Sequence, residues 1–192
     1  MNLTITLTGT CPMLQHNGRL ANPIDPHTRA LKALTAKRTK TDDDLVEIMV
    51  TEARGGCWET PDGQLGLPTA AVWRSIYDAA KAFKLGEQIK RSLLFADPTH
   101  VDALIIDGDT HDCDVWLKDD NHIDYRPVKV KTSKVMRARP LIPTGWQSTH
   151  TFDLLDDVMD ARDLIPVLER AGRLVGVGDW RPTYGRFSVD AA

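Results

Sequence analysis

No apolar run in this sequence approaches the ~20 residues that a membrane-spanning helix needs, which argues against a helical membrane protein. Met1 to Thr8 has neither the basic start nor the unbroken apolar core of a secretory signal. Cysteine is scarce: Cys11, Cys57 and Cys113 are odd in number and widely spaced. That excludes a disulfide framework and fits free thiols in a reducing, cytoplasmic setting. Internal repeats and low-complexity segments are missing. So are a Gly-x-Ser-x-Gly nucleophile elbow and a phosphate loop ending in Gly-Lys-Ser/Thr.

The acidic stretch Asp107 to Asp114 invites a metal reading and does not sustain it. A calcium loop counted from Asp107 needs glycine at the sixth position and glutamate at the twelfth, where Asp112 and Lys118 stand. Cys113 has no second cysteine nearby for a zinc pair. The expectation is no metal and no cofactor. His16, in the proline-rich loop, could serve as a general base beside Tyr184 or Ser188, but one loop histidine does not define a catalytic site, and no catalytic residue is assigned.

What is present is enough apolar character for a core, 42% of the residues, in a length that suits one domain, 1–192. Net charge is −3 and the pI is near 6.0, which by themselves oppose nucleic-acid binding. The distribution says more than the sum. His27 to Lys40 holds five basic residues, Arg29, Lys32, Lys37, Arg38 and Lys40, and no acidic one. Arg126 to Arg139 holds six, Arg126, Lys129, Lys131, Lys134, Arg137 and Arg139, again with no acid. Asp97 to Asp124 reverses this, with nine aspartates and one lysine. Such segregation predicts a basic and an acidic face, or two faces that meet between copies; solvated loops are the plain alternative.

Along the chain, Leu3, Ile5 and Leu7 alternate as in a strand. Gln15–Thr41 reads as a long exposed insertion, with a short helix over Thr28–Leu34. Thr41 caps a helix ending at Gly55-Gly56, and a small hairpin turns at Pro61-Asp62-Gly63. Ala70–Leu85 carries an apolar helical stripe stopped by Gly86. Leu93–Phe95 and Ala103–Ile106 read as strands, and Val115–Leu117 pairs with Ile123–Tyr125 as a hairpin. Val128–Lys131 and Ser133–Arg139 continue as basic strands, interrupted by Pro140 and Pro143. Trp146–Leu155 is a strand, and Asp160 caps a helix to Ala171 with a kink or break at Pro166 and a stop at Gly172. Strand–helix–strand at each end predicts an α+β, ferredoxin-like (RRM-like) core, with a loop insertion at about 15–41 and a β-rich one at about 97–139.

The stretch richest in chemistry is Leu174–Val189. Apolar Leu174–Val177 and Phe187–Val189 have strand character, and Gly176, Gly178 and Gly185 lie between them. Trp180, Arg181, Tyr184 and Arg186 interleave with the glycines. Glycine permits positive φ and close approach, arginine forks suit phosphate, and an aromatic face holds a base. An ordinary glycine-rich hairpin fits the same residues.

The segment from Gly176 to Phe187 resembles the C-terminal glycine-rich signature of RAMP proteins, the RRM-like superfamily that includes Cas5, Cas6 and Cas7 proteins of CRISPR effectors. Its last turn has one glycine followed by Arg186 where family members often have two. Leu67-Pro68-Thr69-Ala70-Ala71-Val72-Trp73-Arg74 resembles the lead-in to the first major helix of Cas7-like backbone subunits. The resemblance is closest to stand-alone Cas7-like proteins of phages and other mobile elements. It implies a non-catalytic binder of single-stranded RNA, or less readily DNA, that acts as a homo-oligomer or as a subunit of a larger ribonucleoprotein. Arg29, Lys32, Lys37, Arg38, Lys129, Lys131, Lys134, Arg137, Arg139, Arg181 and Arg186 would take phosphates, and Trp180 or Tyr184 would stack bases. A Cas6-like endoribonuclease and an assembly or inhibitor protein using the acidic face are the alternatives.

Overall fold

Leucine and isoleucine alternating with threonine make the first strand, and its period of two sorts one face inward. In the computed structural model, which describes residues 1–95 and 97–191, the elements are β1 (Asn2–Gly9), β2 (Met13–Leu14), α1 (Pro26–Thr35) and α2 (Asp42–Gly56). β3 (Gly66–Pro68), α3 (Thr69–Ala80), α4 (Gly86–Ser92), β4 (Leu93–Leu94) and β5 (Val101–Ala103) follow. Then come α5 (Cys113–Trp116), β6 (Ile123–Val130), β7 (Ser133–Ile142), β8 (Gln147–Leu154), α6 (Ala161–Arg170) and β9 (Phe187–Ala191). The expected α+β class is what forms. No helix among the described residues is long and apolar enough to cross a membrane.

β1 lies between β8 and β9, and β4 extends the sheet past β8, giving the order β4-β8-β1-β9 with all neighbours antiparallel. Leu3, Ile5, Leu7, Phe152, Leu154 and Phe187 face a core shared with Val72 and Ile76 of α3 and Leu164 and Val167 of α6. Each such side chain contributes about 1.5–3 kcal/mol by leaving water. The other face of the sheet bears threonines, and their hydroxyls meet across the strands, Thr4 with Thr151 at 3.2 Å and Thr6 with Thr149 at 3.0 Å.

A second sheet, β2-β7-β6, carries the basic hairpin, with Asp124 opposite Arg139 and Arg126 opposite Arg137. α2 packs on β7, and α1 packs on α2. The Thr41 cap is present as expected: Thr41 Oγ1 accepts from the Asp44 N–H at 3.2 Å, and Asp44 Oδ2 accepts from the Thr41 N–H at 2.9 Å. The 15–41 insertion is more than a loop. It begins at the buried Gln15, whose amide donates to the Gly66 carbonyl and whose oxygen accepts from the Trp58 N–H, both at 2.9 Å.

Several elements differ from expectation. α3 ends at Ala80; Lys84 turns left-handed at φ 62°, and Gly86 opens α4 instead of stopping α3. Val115–Leu117 is not a strand, because Asp112 accepts from the Asp114 and Val115 N–H groups and caps a helical turn there. β7 runs through Pro140, which sits where pairing with β2 gives out, its carbonyl accepting from the Gln15 N–H at 3.1 Å. α6 passes through Pro166 without a break. Leu174–Val177 is not a strand either: a wide helical turn over Ala171–Val175 prolongs α6. Gly172 does not stop that helix; it admits β9, since a Cβ there would lie 2.0 Å from the Phe187 carbonyl oxygen.

Candidate nucleic-acid interface

The glycine stretch forms a clamped loop rather than a hairpin. Gly176, Gly178 and Gly185 all take positive φ, at 73°, 82° and 72°. At Gly185 a Cβ would stand 1.7 Å from the Val177 carbonyl oxygen, and at Gly178 2.5 Å from that of Leu14. Only glycine fits either position. The loop closes on itself through Val177 N–H to the Gly185 carbonyl at 2.9 Å. It is fixed to the segment around β2 by Asp179 N–H to Leu14 and Gly185 N–H to Pro12, at 2.7 and 2.8 Å.

This clamp presents Trp180, a non-glycine residue at φ 56° that is 46% exposed. Tyr184 lies beside it, ring centroids 6.0 Å apart and planes 25° from parallel. The β6–β7 hairpin meets both rings. The Arg126 guanidinium sits 5.1 Å from the Trp180 ring centre and 5.4 Å from that of Tyr184, and donates to the Tyr184 hydroxyl at 2.8 Å and to Asp124. Partial burial opposes the Arg126 charge, but the bonds to Asp124 and Tyr184 outweigh it and raise its pKa. Arg139 lies 6.0 Å from the Trp180 ring, and its Nε donates to Asp179 at 2.6 Å. Arg139 Nη1 and Asp124 Oδ2 are 4.0 Å apart, both buried, and neither has a hydrogen-bond partner among the described residues. A cleft of about 330 Å³ opens here, lined by Pro127, Val128, Lys129, Arg139, Asp179 and Trp180.

Of the expected site residues, Lys129, Arg139, Trp180 and Tyr184 come together at this cleft. Lys131 and Lys134 lie at the exposed end of the same hairpin. Arg137 is engaged with Glu52 of α2 at 2.7 Å. Arg29 and Lys32 lie on α1, and Lys37 and Arg38 in the link to α2, where Lys37 pairs with Asp44 at 2.6 Å. α1 packs on α2, and none of Arg29, Lys32, Lys37 and Arg38 is among the residues that line the cleft. Arg181 turns to Asp78 of α3 at 3.4 Å and lines a separate cleft of about 170 Å³ with Trp58, Ala71, Arg74 and Gly178. Arg186 is exposed next to Gly185, its N–H directed at Cys11 Sγ. His16 makes no hydrogen bond to Tyr184 or Ser188 among the described residues; the tyrosine hydroxyl is taken by Arg126.

Sequence reasoning missed the roles of Arg126, Asp124 and Asp179. The signal was the alternation Asp124-x-Arg126 on a strand, which puts both on one face. It also missed a second polar cluster. Asp102 accepts from the Thr69 hydroxyl at 2.7 Å and faces His150 Nδ1 at 2.6 Å and His100 Nε2 at 3.0 Å. Burial would raise the Asp102 pKa, but hydrogen bonds from His150 and Thr69 prevail and lower it. A cleft of about 290 Å³ beside it is lined by Thr69, Phe95, Asp97, His100, Asp102 and Thr151. No group of three or more His, Cys, Asp or Glu side chains is arranged so that it could hold a metal ion among the described residues. No family model matches this sequence, and no curated protein matches it.

Proposed function

We propose that this protein binds single-stranded nucleic acid without cleaving it, on a ferredoxin-like core of the RAMP kind. The core reading is supported by the order β4-β8-β1-β9, with α3 between β1 and β4 and α6 between β8 and β9. That is the connectivity of a split βαβ sheet. RNA as the strand, and a repeated subunit of a ribonucleoprotein as the working form, rest on the Cas7-like resemblance of the glycine loop and of Leu67–Arg74.

The observation that carries the binding reading is Trp180. A left-handed non-glycine residue costs about 1–3 kcal/mol and persists only where its surroundings over-determine it. Here the strain goes with an indole held half open to solvent, with Arg126 on its ring and Lys129 and Arg139 beside it. A base stacks on the indole while its phosphates run toward Lys131 and Lys134.

The test is retention of a labelled strand of about 30 nucleotides at about 50 mM salt, followed as salt rises. The log–log slope is expected near −0.7 per phosphate contact. Absence of retention for any RNA or DNA overturns the reading and turns attention to the acidic stretch as a protein-binding face. A shortened product would instead favour an endoribonuclease.

A further inference from the structure

We infer that the Trp180 cleft selects guanine among the bases of a bound strand. This rests on the strand-binding reading and adds a substrate preference to it. A base stacked on the exposed indole turns its edge toward the other charged groups of the cleft, Asp179, Arg139 and Lys129. Asp179 is fixed by Arg139 Nε at one carboxylate oxygen, and its other oxygen has no hydrogen-bond partner among the described residues. Lys129 is exposed with no ion pair among the described residues, whereas Arg139 Nη1 is buried 4.0 Å from Asp124 Oδ2. The cleft thus offers a fixed anionic acceptor, held by Arg139, with the exposed Lys129 ammonium on the same lining.

Guanine alone matches that order of groups. Its Watson–Crick edge shows two adjacent donors, N1–H and the N2 amino group, next to the O6 acceptor. The two donors meet the Asp179 carboxylate, and O6 meets the Lys129 ammonium. Adenine and cytosine each offer one amino donor beside a ring-nitrogen lone pair, which would face the carboxylate. Uracil offers one N–H between two carbonyls. Each of these leaves a half-buried carboxylate poorly paired or repelled, and such mismatches are where hydrogen-bonding sites discriminate most.

The experiment compares wild-type affinity for five strands of about 12 nucleotides, chosen long enough to cover one ssDNA- or RNA-binding site. They are oligo-U and U-rich strands with guanine, inosine, adenine or cytosine at every third position, measured by fluorescence anisotropy at one salt concentration. The guanine strand is expected to bind about tenfold tighter than oligo-U, and the inosine strand, which lacks only the N2 amino group, to lose most of that gain. In Asp179→Asn the guanine-to-uracil ratio falls toward one. The inosine comparison needs no variant, so a misfolded Asp179→Asn protein does not blur the outcome. Measurable but equal binding of all five strands, or a preference for adenine or cytosine, overturns the guanine inference and leaves strand binding standing. Failure to bind any of them overturns both.

Discussion

Two exposed polar surfaces of this protein, the outer face of the four-stranded sheet and the Trp180 cleft, differ in how their groups are occupied. On the outer face of the four-stranded sheet, Thr4, Thr6, Thr149 and Thr151 satisfy one another across the strands, with Asp153 and Asp190 as the neighbouring charges. No lysine, arginine or aromatic side chain stands on β1, β8 or β9 at those outward positions. At the cleft between the β6–β7 hairpin and the glycine loop, an indole stands open, cations crowd it, and buried polar atoms of Asp124 and Arg139 have no hydrogen-bond partner among the described residues. A flat sheet is the natural platform of RRM-like folds. On the proposed strand-binding reading, the groups suited to bases and phosphates stand off the sheet, at the glycine loop and the β6–β7 hairpin.

The largest test of that contrast is structural. Gly185→Ala puts a Cβ into the Val177 carbonyl at a backbone φ of 72°, with no side-chain tip to move aside. It is expected to cost about 3 kcal/mol or more in denaturant unfolding. Thr149→Ala on the sheet removes one cross-strand hydroxyl pair and is expected to cost under about 1 kcal/mol. Equal losses would mean that the loop is no more constrained than the sheet. The next effect is on binding. Trp180→Ala should weaken a bound strand by about 1–3 kcal/mol with an unchanged salt slope, because stacking releases no counterions. Thr151→Ala should leave binding untouched, and a reversal of these two results would move the interface to the sheet.

A finer comparison separates the two basic windows. Lys131→Ala with Lys134→Ala should flatten the log–log salt slope by about 1.4, whereas Arg29→Ala with Lys32→Ala on α1 should leave it unchanged. Arg137 and Arg139 are poorer probes, since each already holds a carboxylate, Glu52 and Asp179. Removing either frees that carboxylate as well as the cation, and the slope would mix both effects.

That difference between free and engaged arginines marks how far the sequence could be read. Local signals were legible: the period of two in β1, the Thr41 cap, the glycines that must take positive φ, and Trp180 set among them. The partners of charges were not. Nothing in the alternation of Arg137 with Arg139 says that a helix far back in the chain supplies Glu52, or that Arg181 faces α3 instead of the cleft that holds Trp180. The apolar run Leu174–Val177 looked like a strand because short apolar runs do not distinguish strand from helix end. In the fold the run continues the end of α6, just past the close crossing of β9 at Gly172. His150 likewise reads as one inward residue of a strand until β5 brings Asp102 against it.

The smallest expected effect lies at that Asp102 cluster, next to the sheet and away from the cleft. Thr69 from α3, His150 from β8 and His100 from the segment before β5 all face the carboxylate, and Asp97 lines the same hollow. Its folded pKa lies below the ordinary value near 3.8. Above that value the group is ionised in folded and unfolded chains alike, and its bonds contribute in full. As pH falls below it, the unfolded chain takes up the proton first, so the contribution declines and is lost once pH passes the folded pKa. Asp102→Asn keeps the shape without the charge. Urea midpoints of parent and variant should therefore differ most near neutral pH and converge below about pH 4. The strand-binding affinity of Asp102→Asn should match the parent's at neutral pH, because none of these groups lines the Trp180 cleft. A gap in midpoint that stays constant from neutral pH down to about pH 3 would show that the Asp102 charge does not carry this part of the stability.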